Sequence, residues 1–201
     1  MKSSRKTIKV IEIISSPLDG GAETIARTLS QGLVNACKLT IISVYNPRDN
    51  HWVKKLNHVT LGKTKTGFAP GIIFKLKKEL ATIEPDIIHN HSLFTLFYLI
   101  PANLLSVRAQ IVQTVHNDLD YYYRPAFFWI CLLKIFKIHV VNLSEKLNPY
   151  FLNYKHHSII ANGIELNKFS SIKRQNTAKR IIFIGRIASQ KDPLKAIDVF
   201  N

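Results

Sequence analysis

Two glycines in the turn Asp19-Gly20-Gly21-Ala22-Glu23 separate an apolar run from a helical pattern. Because glycine has no Cβ, the backbone of such a turn can approach a ligand closely. The free N–H groups and the positive dipole end of the following helix favour an anion such as a phosphate. The turn lacks the G-x-G-x-x-G fingerprint of dinucleotide sites, and a tight strand-to-helix turn without a ligand is the alternative interpretation.

Three histidines lie at the ends of predicted strands, His89 and His91 in P-D-I-I-H-N-H and His116 in T-V-H-N. Residues two apart in an extended segment share a face, so we expect His89 and His91 on one side. A zinc site would need at least a third ligand, and none is spaced to supply it, so we expect no metal. Each histidine alone is typical of a structural residue, whereas their clustering at strand ends favours a ligand-binding edge.

The segment 183–193 carries the most specific pattern in the chain. Gly185 follows an apolar run, Arg186 comes next, and Lys191 lies five residues later, just before a predicted helix. Arginine can bind a phosphate through two parallel hydrogen bonds, and lysine adds a point charge. The pattern predicts a cradle for a diphosphate, and a solvated basic loop is the alternative.

Short apolar runs alternate with helical patterns along the chain, which predicts a doubly wound, Rossmann-like parallel α/β sheet. The predicted strands are residues 8–14, 39–45, 59–61, 86–89, 109–115, 138–142, 158–161 and 180–184. The predicted helices are residues 22–33, 70–83, a helix capped by Ser92, 126–136, 144–153, and a last one opened by Asp192-Pro193.

The polar, aperiodic segment 170–179 predicts a linker, after which the strand–loop–helix pattern restarts. We therefore expect a Rossmann-like domain over residues 1–169 and the truncated start of a second such domain over 180–201. One strand and part of one helix cannot bury a core of their own, so the second domain is expected to be incomplete.

Charge and composition narrow the class of protein. The net charge is +15, and residues 51–80 hold seven lysines against one acid. This favours an anionic membrane or a phosphorylated ligand, and the lack of RNA- or DNA-reading motifs argues against nucleic acid. Two isolated cysteines fit a reducing cytosol. The apolar runs 93–105 and 126–136 fall short of the roughly 20 residues that span a bilayer.

Five motifs in register resemble the retaining glycosyltransferase family 4, also called group 1, which has the two-domain GT-B fold. They are G-G-A-E after the first strand, P-D-I-I-H-N-H, T-V-H-N, N-G-I-E with a later Phe, and G-R with a later Q-K. The resemblance implies that the first domain holds mainly the acceptor and that the second holds a nucleotide sugar. It also implies that the chain ends before the family's nucleotide pocket.

The resemblance assigns roles to single residues. His116 matches the histidine near the transferred sugar and is the expected catalytic residue. Gly20, Gly21, Arg186 and Lys191 match positions that bind the donor diphosphate, which implies catalysis without a bound metal or other cofactor, the nucleotide sugar being a co-substrate. The expected acceptor or sugar pocket comprises Glu23, His89, His91, Asn117 and Asn162.

The leading hypothesis is a cytoplasmic transferase that moves a sugar from a nucleotide diphosphate to a glycan or lipid-linked acceptor, as in polysaccharide biosynthesis. Basic residues 54–78 and the aromatic run 121–129 suggest peripheral contact with the inner membrane face. The chain alone is expected to be inactive. The alternatives are a non-catalytic acceptor-domain remnant and a sugar-nucleotide epimerase of the same GT-B fold.

Overall fold

The computed structural model describes residues 7–17, 20–46, 52–121, 124–164, 182–185, 187 and 192–199. The chain divides into two compact units, residues 1–163 and 164–201. In the second unit the described residues include helix α5 (Pro193–Asp198), and the side chain of its N-cap Asp192 accepts a hydrogen bond from the backbone N–H of Lys195. This is the N-cap and N1 pair that the sequence predicts.

The first unit is built on one parallel sheet, which confirms the predicted Rossmann-like α/β fold. Seven strands lie in the order β3-β2-β1-β4-β5-β6-β7, and every neighbouring pair is parallel. The strands are β1 (Lys9–Ile14), β2 (Lys38–Tyr45), β3 (His58–Lys63), β4 (Ile87–Asn90), β5 (Gln110–Val115), β6 (His139–Asn142) and β7 (His157–Ile159). The helices of this unit are α1 (Gly21–Leu33), α2 (Gly71–Ile83), α3 (Leu96–Leu104) and α4 (Ala126–Ile135).

The two faces of the sheet are covered by different helices. On one face a large apolar core joins strand residues such as Ile13 to residues of α2, α3 and α4. On the other face a small cluster of Ile14, Ile41 and Val53 packs against Ala26 of α1. Consecutive residues of a strand point to opposite faces, so Glu12 shares the smaller, α1-covered face with Ile14.

The predicted helix over residues 144–153 is wrong. This segment forms turns, followed by a single 3₁₀ turn over Pro149–Phe151. Proline disfavours right-handed helical backbone at the residue before it. Asn148, which precedes Pro149, is left-handed with φ 54°, a conformation that asparagine tolerates better than most residues.

Two further expectations about helix and strand ends are also wrong. The side chain of Ser92 makes no capping hydrogen bond. The residues after it form a 3₁₀ turn over Leu93–Thr95, and α3 begins only at Leu96. The described residues 182–184 of the predicted strand 180–184 are not in a strand, and Ile184 is 90% exposed.

Asn148 joins the loop after β5 to the loop after β6. Its side-chain oxygen accepts a hydrogen bond from the backbone N–H of Leu119 at 2.7 Å, and its amide donates to the carbonyl of Asn117 at 3.2 Å. The side chain is fully buried. Asn148 therefore positions the segment that directly follows His116.

We predict that Asn148→Ala lowers the free energy of unfolding by about 2–4 kcal/mol, because it strands two buried backbone groups and strains a left-handed position. Urea unfolding followed by circular dichroism measures this. The matched control is Asn153→Ala in an exposed turn, which should stay within about 0.5 kcal/mol of wild type. Equal stability of the two variants would contradict the role given to Asn148.

Candidate active site

The candidate site lies where the strand order of the sheet reverses. From β1 the chain continues to β2 and then to β3 at the edge of the sheet. It then returns to the other side of β1, where β4 pairs with it. Open α/β sheets bind ligands at the carboxyl ends of the strands at such a reversal. Glu12 of β1 and His89 of β4 are register partners across it.

Glu12 is a fully buried carboxylate that lies between apolar residues of β1. Its Oε2 accepts a short hydrogen bond from the hydroxyl of Ser30 on α1. Its Oε1 lies 3.8 Å from Nδ1 of His89 and 3.8 Å from Nε2 of His91. The carboxylate therefore ties the first strand, the first helix and the end of β4 into one polar cluster.

His116 joins this cluster through His91. Nδ1 of His91 and Nε2 of His116 are 3.2 Å apart, so one ring donates a hydrogen bond to the other. His89 is held from its other side, where Nε2 lies 2.8 Å from the hydroxyl of Thr114. His89 and His91 share one side of β4, with ring centroids 4.2 Å apart, as their spacing predicts.

Burial keeps the three imidazoles neutral. Desolvation lowers the pKa of His89 to about 3, with a further lowering from His91 that Glu12 partly opposes. Desolvation likewise lowers the pKa of His91 to about 4, and that of His116 to about 4 with help from His91. Burial raises the pKa of Glu12, although the Ser30 hydrogen bond and His89 act against the rise. At neutral pH the histidines are therefore neutral groups, each of which can donate one hydrogen bond and accept another.

Glu12 was not identified as a site residue from the sequence. The available signal was a charged residue in the middle of a strand that parallel-sheet packing buries on both faces. With Glu12, the cluster offers three metal-ligating atoms, one each from Glu12, His89 and His91, within 4.8 Å of one another. The third ligand that the sequence spacing does not supply thus comes from a neighbouring strand.

The glycine turn lies at the start of α1. Gly20 is the N-cap residue with extended backbone, so neither Gly20 nor Gly21 needs a left-handed conformation. A Cβ on Gly20 would collide with the carboxylate of Glu23, while the space beside Gly21 is open. The Glu23 carboxylate lies at the positive end of the helix, a position that an anion would otherwise occupy.

The remaining predicted site residues fall into separate places. Asn117 directly follows His116, and Asn162 lines a cavity of about 180 Å³ beside α1 and Thr114. Arg186 and Lys191 lie outside the described residues. The structure therefore brings His89, His91 and His116 together, and it places Asn162 beside Thr114, the residue that contacts His89.

A larger cavity of about 570 Å³ opens at the ends of the first four strands. Its wall includes Ser15 after β1, Tyr45 of β2, Lys63 of β3 and Ser92 after β4. The rest of the wall is mainly aromatic, with Phe68, Phe94, Phe97 and Tyr98, and Arg124 contributes one further cation. The sequence motifs did not point to this cavity, because its residues come from separate loops and helices.

Residues 19–168 match the protein-family model described as Glycosyltransferase Family 4, which is 150 of the 201 residues. The chain belongs to this glycosyltransferase family. A comparison with curated protein sequences gives no match.

Solved glycosyltransferase structures share the fold of the first unit. HepE of Anabaena, in complex with UDP-glucose, superposes with a TM-score of 0.66 at 15% identity, covering 80% of this chain and 45% of HepE. The lipopolysaccharide outer core galactosyltransferase WaaB gives 0.62 at 16% identity, covering 79% and 47%. MurG of Acinetobacter baumannii gives 0.57 at 11% identity, covering 79% and 46%. The chain thus spans less than half the length of these proteins, and the likeness shows the GT-B type of Rossmann-like fold.

Within the described residues of this family member, no helix is long and apolar enough to cross a membrane.

We predict that the metal-free chain loses stability as the pH falls from 7 to 5. The three histidines have folded-state pKa values of about 3 to 4, whereas the pKa of histidine in the unfolded chain is about 6.5. The unfolded state therefore binds more protons in this window, and stability falls with pH. The raised pKa of Glu12 acts in the opposite direction, but one carboxyl opposes three imidazoles.

Urea unfolding in buffer with a chelator should show a loss of at least about 2 kcal/mol between pH 7 and pH 5. His91→Gln removes one titrating ring and should flatten this dependence. His156→Gln, outside the cluster, should leave it in place. A wild-type stability that is constant over this range would show that the cluster is not buried in its neutral form.

Proposed function

We propose that this chain is the acceptor-binding part of a nucleotide-sugar-dependent glycosyltransferase, which transfers a sugar from a nucleotide diphosphate to a glycan or lipid-linked acceptor. The observation that carries the proposal is the 570 Å³ cavity at the strand ends of a family 4 domain. Pockets of this size, mostly apolar with a few polar groups, are typical small-molecule sites.

The cavity combines an aromatic wall with a buried positive charge. Phe68 and Tyr98 stack with ring centroids 5.3 Å apart, which gives one flat apolar surface. Lys63 is only 6% exposed, and its ammonium group donates to the hydroxyl of Tyr45 at 2.8 Å and to the carbonyl of Lys65. Both partners are neutral, and the ammonium group also lies 4.6 Å from the centroid of the Tyr45 ring. A ring quadrupole attracts a cation but carries no net charge, so neither partner supplies a negative charge to balance Lys63.

A buried cation is expensive unless an anion accompanies it. Lys63 therefore favours a ligand that carries a phosphate, and the aromatic rings favour a ligand with an apolar portion. An acceptor sugar carried on a lipid phosphate or diphosphate has both parts. We infer that this class of acceptor occupies the cavity.

The outer face of α2 fits the membrane on which such an acceptor would reside. Phe74 is 67% exposed, and Lys77 and Lys78 beside it are exposed as well. An exposed aromatic ring flanked by lysines is suited to the interface of an anionic membrane. We therefore infer peripheral attachment to the cytoplasmic membrane face.

In this proposal the donor side is shared with a second domain. His116 contacts the transferred sugar, and Gly20, Gly21, Arg186 and Lys191 bind its diphosphate, as the family resemblance implies. Glu23, His89, His91, Asn117 and Asn162 line the acceptor or sugar pocket, and no further cofactor takes part in the transfer. This chain spans less than half the length of the related structures, so we expect the 201-residue chain alone to bind the donor weakly.

We predict that Lys63→Met weakens binding of farnesyl phosphate about 10- to 100-fold, because it removes a charge-assisted hydrogen bond. Binding of farnesol, which lacks the phosphate, should change little. Saturation-transfer NMR and calorimetry measure both. Lys65→Met is the matched control, since it removes an exposed lysine two residues away.

Equal loss in the Lys63 and Lys65 variants would reduce the effect to general charge and would reject the cavity as the acceptor site. Binding of a nucleotide diphosphate to the cavity in competition with farnesyl phosphate would also reject it, because the donor would then occupy the acceptor site.

We predict that Lys77→Glu with Lys78→Glu lowers binding to vesicles containing phosphatidylglycerol at least about tenfold at low salt, since each basic residue contributes about 1 kcal/mol. Lys75 is left unchanged because its ammonium group donates to the carbonyl of Leu61. Sedimentation with vesicles provides the measurement.

The matched control is Lys146→Glu with Lys155→Glu, which makes the same change in net charge at two other exposed lysines. If both double variants lose binding equally, attraction depends on overall charge and α2 is not the contact face.

A further inference from the structure

Two buried polar atoms without hydrogen-bond partners lie at the same place in the first unit. They are Oε1 of Glu12 and Nε2 of His91, and they are 3.8 Å apart. The side chains are 0% and 2% exposed. An unsatisfied buried polar atom costs about 1–3 kcal/mol, so two that face each other call for an explanation.

We propose that Glu12, His89 and His91 form a binding site for a divalent transition-metal ion, for which Zn²⁺ is the best match. The ion would be bound by Oε1 of Glu12, Nδ1 of His89 and Nε2 of His91. This site goes beyond the proposed transfer reaction and does not depend on it, because it is defined by side chains in the core of the sheet.

The spacing of the three atoms suits a small ion. Metal–ligand distances of about 2.0–2.2 Å in a tetrahedral site place ligand atoms roughly 3.3–3.5 Å apart. Oε1 of Glu12 lies 3.8 Å from each histidine nitrogen, and all three atoms lie within 4.8 Å of one another. Small side-chain rotations, with atom movements of up to about 1 Å, would bring all three atoms into coordination.

Each ligand side chain also has a hydrogen-bond partner at the atom that would not bind the metal, as metal ligands in proteins usually do. The second oxygen of Glu12 accepts from Ser30, the second nitrogen of His89 pairs with Thr114, and the second nitrogen of His91 pairs with His116. In each case the partner occupies the atom that a metal would not use. The atoms left without such a partner are Oε1 of Glu12, Nδ1 of His89 and Nε2 of His91, which lie within 4.8 Å of one another.

The chemistry of the donors selects the class of ion. Two imidazole nitrogens and one carboxylate oxygen suit Zn²⁺, Co²⁺ or Ni²⁺, whereas Mg²⁺ and Ca²⁺ prefer oxygen ligands. His89 is partly exposed, with 16% of its side chain accessible, and this leaves a route of entry. Three protein ligands leave a fourth position for water.

An ion at this site would fix the orientation of His116. A neutral histidine that binds a metal through Nε2 carries its proton on Nδ1, so His91 would have to donate to Nε2 of His116. His91 is therefore a positioning residue for His116 in the metal-bound form. Without the ion, the direction of this hydrogen bond is not fixed.

The test is zinc titration of the purified, untagged chain in competition with a colorimetric chelator. We expect one Zn²⁺ per chain and a rise in the midpoint of thermal unfolding that a chelator reverses. Glu12→Gln and His91→Gln should each weaken the affinity about 100-fold or more, and Ser30→Ala about tenfold. His156→Gln, a half-buried histidine outside the cluster, is the control and should bind like wild type.

A measurement on the wild-type chain protects the test against variants that do not fold. Long-range ¹H–¹⁵N spectra of the imidazoles should show that zinc shifts Nε2 of His91 and Nδ1 of His89, with a proton retained on the other nitrogen of each ring. Absence of stoichiometric binding, or shifts confined to other histidines, would overturn the proposal.

Discussion

The pairing of β1 with β4 is the constraint on which the candidate site depends. It places the reversal of strand order at the centre of a seven-stranded parallel sheet and sets Glu12 beside His89. Around this buried carboxylate, α1 supplies the hydroxyl of Ser30, β4 supplies His89, and the residue after β4 is His91. The same reversal opens the strand ends around Ser15 and Ser92, where the large cavity forms.

The site is divided between two environments with different physical characters. On the α1 side of the sheet the groups are polar, buried and neutral, which suits directional hydrogen bonds or coordination by a metal. At the cavity the walls are mainly aromatic, and the buried cation is Lys63. In the function that we propose, the first region would orient a reacting sugar, and the second would accommodate the apolar and anionic parts of a carrier.

Much of the fold could be predicted from the sequence, because parallel strands are continuous apolar runs and helices show a different period. The shared side of His89 and His91 followed from a spacing of two, but the arrival of Glu12 beside them required the strand order, which local pattern does not encode. The helix predicted over 144–153 failed because Pro149 and the left-handed Asn148 outweigh an apolar period. The cavity combines loops distant in sequence, so no spacing could indicate it.

Helix α1 connects the glycine turn at one end of the candidate site to the buried Glu12 cluster at the other. Gly20 is its N-cap residue, and Ser30, which donates to Glu12, lies about 15 Å further along the axis at about 1.5 Å per residue. The 13-residue helix therefore sets a fixed separation between the glycine turn and the residue that binds the Glu12 carboxylate.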